Sequence, residues 1–440
     1  MKNCFGDRAL LNLKCDWLKS WIVLLEAGFG VRLDSLVKLS ATEQRVAECI
    51  ARKCDFLLED LRLHVGIPTG GNNREGIEET RERFGLRLQE LGAKSHLVQP
   101  EPKPEWLLGG VSGSYMPGTT VCERLNGASS GRVMIAGHLD TVHDPGGDFL
   151  DLSVALGGKT AVGPGCVDMK GGLVIAVAAL EALEECGVAA NWTFTMNGDE
   201  ETGTYHSEKA LKDQARLHDF GLALEPALPG GELAIERMGS GQFLIETVGK
   251  SAHVGRAFTE GRSAVVELAR CILASAKFPE PGRGKILNIG PLKGGVATNA
   301  VPDSAKAWGN VRFADEGIAD ELAVELDGLQ TEAGKVPGVI VRRSFNRPAK
   351  PLTPEVEALG LRAREVAEAL GQKLPFASTG GVCDGNVLQS AGLPTIDTLG
   401  VRGGGLHTPD EWIDLTSLVE RCQLLAILVA RLSTGGSEAV

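Results

Sequence analysis

The sequence predicts an α/β chain with a mixed central sheet flanked by helices and a separate α+β unit inserted into it. Three observations predict this. At 440 residues the chain exceeds what one ordinary core organises, so two domains are expected. Short apolar strand signals alternate with helical periodicity through the first half. A second run of strand and helix signals then begins near Arg237, and Pro348 and Pro351 mark the return to the first pattern.

Residues 1–40 read as an atypical arm, either an addition or a misplaced start. Its apolar stretch, residues 17–31, is broken by Lys19 and Glu26 and lacks a small-residue cleavage site, so neither a membrane span nor a signal peptide is expected. From 41 to 92 the pattern is helical, with Val46, Ile50, Phe56, Leu57 and Leu61 at helix-like spacing. A glycine-rich break at 69–73 separates off a second helix, 76–91, that ends before Gly92. Residues 132–136 give a buried-strand signal, 171–186 a helix apolar on most faces, and 192–196 another strand. In the inserted unit, 243–248, 286–289, 306–313 and 339–345 read as strands, and 263–277 and 318–334 as helices. The expected division is a first domain of 41–237 and 348–440 with an inserted domain of 238–347.

Composition excludes several functions. The net charge is −12 with the acidic residues dispersed, so no basic stripe invites nucleic acid. The ten cysteines are scattered without a CxxC pair, which suits reduced, mostly buried thiols in a cytoplasmic protein.

Five short stretches carry chemistry: His138 and Asp140 in Gly-His-Leu-Asp, Asp168 before Met-Lys-Gly-Gly, the pair Glu200-Glu201, Glu225 before Pro226, and His407 in a glycine-rich approach. Each alone is unremarkable; an HxD motif is common by chance, and Asp168 could cap a helix. Together they supply two imidazoles, a central carboxylate able to reach two metals, flanking carboxylates and a spare glutamate. That set suits two metal ions and a base. One member of the His138/Asp140 pair can bind metal while the other orients a ligand from behind. Of Glu200 and Glu201, one can ligate and the other can take a proton. All sit just past a strand or in a loop, where ligands of α/β sheets gather.

With its motifs Gly-Gly-Val-Cys-Asp-Gly-Asn at 380–386 and Gly-Gly-Gly-Leu-His-Thr-Pro-Asp-Glu at 403–411, the chain resembles the M20 family of co-catalytic zinc peptidases and amidohydrolases over roughly residues 42–432. It looks closest to the glutamate carboxypeptidase branch. The resemblance implies a zinc-peptidase-like catalytic domain, an inserted lid and dimerisation domain, and a homodimer. It implies two Zn²⁺ per chain, which Co²⁺ or Mn²⁺ could replace. One ion goes to His138 and Glu225, the other to Glu201 and His407, with Asp168 bridging. Asp140 then orients His138, Glu200 is the general base, and a cis peptide follows Asp168. His253 corresponds to a histidine that reaches the partner's site and steadies the oxyanion, and Asn299 and Arg312 to residues that hold the substrate carboxylate. Arg347 corresponds to a further arginine of the glutamate-releasing branch. Where that branch can carry a lysine, this chain has Leu233, which departs from a glutamate-selective pocket. His143, five residues after His138, could lie near the site, with a role confined to its loop the plainer expectation.

The expected reaction is hydrolysis of an amide bond to a C-terminal amino acid, with a peptide or N-acyl amino acid as substrate and glutamate as one candidate product. An N-acyl-amino-acid deacylase, acting like acetylornithine deacetylase or succinyl-diaminopimelate desuccinylase, is the main alternative. The long insert before His407 argues against a single-domain aminopeptidase. A silent binding protein would more readily have lost Glu200.

Overall fold

The computed structural model describes residues 38–70, 73–108, 115–127 and 130–434. The reading of 17–31 and most of the proposed arm lies outside these residues.

The centre is a mixed six-stranded sheet in the order Lys94–Val98, Thr119–Arg124, Trp192–Asn197, Val133–His138, Phe220–Ala223, Thr395–Ile396. The last four run parallel; the first two are antiparallel additions at one edge. Val133–His138 and Trp192–Asn197 are buried at every position, as expected of strands covered on both faces. The helix Lys170–Glu185 is buried along nearly its whole length, fitting its apolar sequence. Gly172 begins it against the neighbouring chain, where a Cβ would meet the Leu224 carbonyl oxygen at 2.5 Å. The C-terminal helix Thr416–Ser433, which the sequence reading passed over, belongs to the same core through Leu424, Leu425 and Leu428.

A second, wholly antiparallel sheet has the order Lys285–Gly294, Ser304–Phe313, Gly239–Val248, Gly338–Arg347. Burial alternates along Ser304–Phe313, so only one face is covered. On that face Phe243, Ile245, Val311 and Phe313 form a separate core with Leu268 and Leu322, from the helices Ala264–Ser275 and Glu316–Asp327. The helix expected to run to Gly334 stops at Asp327. Gly328 ends it, and the Thr331 N–H already joins the Val339 carbonyl.

Parallel strands that share a direction bring their carboxyl ends to one edge. His138 closes its strand, Glu200 and Glu201 follow Asn197, and Glu225 follows Ala223. The motifs at 138, 200–201 and 225 therefore converge through topology alone.

Candidate metal centre and active site

Around that edge lies a cleft of about 600 Å³ whose lining includes Asp168, Glu200, Glu201, Glu225, Arg312 and His407. Asp168 sits between two imidazoles. Its Oδ1 is 3.3 Å from His138 Nε2 and its Oδ2 is 3.5 Å from His407 Nε2. His407 Nε2 is also 3.3 Å from Glu201 Oε2. Ligand atoms of His138, Asp168 and Glu201 lie within 4.8 Å of one another. The Asp168–Met169 peptide is cis, as the resemblance implied.

His138 is aimed from behind. Its Nδ1 hydrogen-bonds the Asp140 carbonyl oxygen at 2.9 Å, which leaves Nε2 to face the cleft. The assigned role of Asp140 therefore changes: its main chain orients His138, and its carboxylate stands off at 3.5 Å. That carboxylate instead accepts the N–H of Glu200 at 3.2 Å and of Glu201 at 2.9 Å. It holds the loop carrying both glutamates.

The electrostatics ask for cations. His138 Nε2, Asp168 Oδ1 and Glu201 Oε1 are buried without a hydrogen-bond partner. Buried polar atoms are rarely left so. Burial pushes the Glu225 carboxyl well above the usual carboxylate range, and the charges of Glu200 and Asp168 add to it. Burial likewise raises Glu201. Hydrogen bonds to Asp168 and Glu201 hold His407 up at about 10. Imidazole and carboxylate donors so arranged fit two divalent ions.

Other expected residues are placed differently. Arg347 lines the cleft and is tied to Glu200: its Nη2 donates to the Glu200 carbonyl at 2.6 Å and lies 2.6 Å from Glu200 Oε1. Arg312 lines the cleft with its buried Nη1 unpartnered. Burial, with Arg347 nearby, works against its charge, so an anion there is favoured. His253 and Asn299 are exposed and not among the cleft residues. They adjoin one another, Val254 N–H donating to the Asn299 carbonyl at 3.0 Å. Leu233 is fully buried in the main core, so it cannot select a substrate side chain. The cleft takes Arg237 from the other end of that strand. Arg237 is itself committed to Asp397 at 2.7 Å and to the Gly381 carbonyl at 3.1 Å.

The sequence reading missed three side chains. Asp384 accepts from Asn197 Nδ2 and Thr204 Oγ1, each at 2.9 Å, behind Glu200. Burial and the Glu200 charge push it up to about 7. Glu411 and His143 form a pair beneath Asp168. Asp384 and Glu411 both lay inside the quoted motifs, a signal that was present but carried no role.

Acids crowded in this way persist around metal ions, and metal ions beside a free glutamate serve hydrolysis. The site thus defines a metal-dependent amide hydrolase. The chain belongs to peptidase family M20/M25/M40, whose pattern matches residues 134–431. Carboxypeptidase G2 of Pseudomonas sp. (strain RS-16) is 27% identical over 91% of this chain and 93% of its own length. A succinyl-diaminopimelate desuccinylase of Methylorubrum populi is 31% identical over 66% of this chain and 80% of its own. The fold is shared with an M20 family metallo-carboxypeptidase from Sulfolobus solfataricus, with TM-score 0.64, 16% identity, and coverage of 86% of this chain and 99% of that one.

Proposed function

We propose that this enzyme is a carboxypeptidase-like hydrolase with two Zn²⁺ per chain, cleaving the amide bond to a C-terminal amino acid. The observation that carries this is Asp168, whose two oxygens face His138 and His407 separately at 3.3 and 3.5 Å. His138 and Glu225 would hold one ion, Glu201 and His407 the other, with Asp168 shared. Bound there, the metals supply Lewis acidity and a water of lowered pKa. Glu200 would be the residue to take a proton from the attacking water and return it to the leaving amine. Arg347 and the Asp140 carboxylate fix Glu200 for this, and Arg312 anchors the substrate carboxylate through its free Nη1. Residues 41–237 with 348–440 form the catalytic part, and 238–347 the lid.

Release of a C-terminal amino acid is supported by the similarity to Carboxypeptidase G2 over nearly the full chain. Deacylation of an N-acyl amino acid is the second reading, supported by desuccinylases at 30–31% identity. A homodimer is part of the proposal. His253 and Asn299 are exposed, as are Val265, Val266 and Leu273 on the helix Ala264–Ser275, and Lys285–Gly294 is an edge strand of the inserted sheet. From there His253 would serve a partner's cleft. A cytoplasmic location is supported by the eight described cysteines, all free thiols.

The test is a panel of dipeptides and N-acyl amino acids given to zinc-loaded and chelated protein. Chelator-sensitive release of a C-terminal residue is expected. Glu200→Gln should lower kcat by about 10²–10⁴-fold while keeping its metals; near-normal turnover would remove Glu200 as the base. Mixing Glu200→Gln chains with His253→Ala chains should restore activity if His253 acts across the dimer.

A further inference from the structure

Glu411 is 1% exposed and carries no role in the chemistry above, yet its carboxylate takes four polar contacts. Oε1 accepts the N–H of Val167 at 2.9 Å and of Asp168 itself at 3.0 Å. Oε2 accepts the Gly165 N–H at 2.9 Å and meets His143 Nε2 at 2.5 Å. The Glu411 carbonyl accepts the Gly163 N–H at 3.1 Å. The segment 163–168 therefore wraps around one side chain. Gly165 makes the turn at φ +69°, where a Cβ would meet Thr141 Cγ2 at 2.6 Å.

Three arms of the site meet at this carboxylate. Segment 163–168 delivers Asp168. Residues 138–143 deliver His138 and end in His143. Glu411 lies four residues beyond His407, and its own N–H returns to the Thr408 carbonyl at 3.2 Å. Aligned backbone donors hold an ionised acceptor more firmly than neutral pairs do. The carboxylate is thus suited to fixing where the Asp168 main chain sits.

We infer that Glu411, backed by His143, is the positioning residue that sets the Asp168 carboxylate between the two imidazoles. This rests on the proposed reading of Asp168 as a shared ligand. Glutamine is nearly the same shape but presents a donor where Gly165 or Val167 needs an acceptor, so the Asp168 segment must shift. His143→Gln leaves the three backbone contacts in place and removes only their support, so its fold does not depend on the Glu411 carboxylate.

The test compares wild type, Glu411→Gln and His143→Gln. Metal affinity is measured by competition with a chromophoric chelator, the geometry by the visible spectrum of the Co²⁺-loaded protein, and turnover as kcat and KM at saturating metal. For Glu411→Gln the expected result is metal affinity weaker by about 10–100-fold, an altered Co²⁺ spectrum, and kcat reduced with KM changed little. His143→Gln should move the same quantities in the same direction by less. Folded variants with wild-type affinity, spectrum and kcat would overturn the inference and leave Glu411 a structural clamp. If Glu411→Gln fails to fold, His143→Gln decides by the same readouts. A wild-type chain that binds no Co²⁺ would instead overturn the reading of the site.

Discussion

Two buried clusters of charge lie in the catalytic part of this molecule, and they differ in one respect. Beneath the sheet, Arg87 donates to Glu181 through Nε at 2.8 Å and Nη2 at 3.0 Å, and to Asp60 through Nη1 at 2.5 Å. His64 lies 3.5 Å from Asp60 and stacks on Phe84 with ring centres 3.9 Å apart. At the carboxyl edge of the sheet, Asp168, Glu201 and His138 each keep a buried atom without a hydrogen bond. In the first cluster both carboxylates close on Arg87 and tie helices together, with His64 Nδ1 left without a hydrogen bond. In the second the carboxylates themselves keep open atoms, at the edge of a cleft. Residue type does not separate structure from site here, since both clusters hold carboxylates and histidine; whether the carboxylates are paired with a cation of the chain does.

The strongest way to break this contrast is Asp168→Ala. It should lower metal content toward one ion or fewer and turnover by at least about a hundredfold, with little loss of stability in the metal-free chain. Elemental analysis, kinetics and denaturant melts check the three parts. Arg87→Met is the mirror experiment. It leaves Asp60 and Glu181 unpaired, and since Arg87 is partly exposed the cost should be about 2–3 kcal/mol by urea unfolding. Metal content and kcat should not change; a loss of either would mean that the two clusters are coupled.

Arg312→Ala sharpens the picture of the open cleft. Losing a charge-assisted contact to the substrate carboxylate should lower kcat/KM by roughly 10–100-fold, mostly through KM. An amidated substrate should be insensitive to this change.

The smallest effect concerns pH. Burial, with the charges of Arg87 and Lys170, depresses His64 to about 3. His64 is therefore neutral in the folded chain, while the unfolded chain takes up a proton near the ordinary value. Its contribution to stability is present above about pH 6.5 and is lost as pH falls toward 3. His64→Gln should flatten the stability profile between about pH 6 and 4 by up to one proton, about 1.4 kcal/mol per pH unit. An unchanged slope in paired urea titrations would refute this.

The candidate ligands were legible because each stands in its own short motif, and the parallel strands bring those at 138, 200–201 and 225 to one edge. Contacts between distant segments were not legible. Glu411 meets Gly165 across 246 positions, and nothing local marks that contact. That Leu233 is core while Arg237 lines the cleft was not legible, because one strand, Leu233–Arg237, sends its first residue inward and its last to the cleft. The contact of Arg347 with Glu200 was not legible either, because it depends on a register shift between Ser344 and Arg347. Which atom of Asp140 meets His138 depends on a loop geometry that spacing does not encode.

The most direct test is to titrate metal-free enzyme with Zn²⁺ while following hydrolysis of an N-acyl amino acid that the wild type turns over. Activity should be absent at the start, rise with added metal and level off at two equivalents per chain, and Asp168→Ala should not reach that level. Full activity in the metal-free chain, or a plateau unaffected by loss of Asp168, would contradict the reading of the open cluster as a two-metal hydrolytic centre.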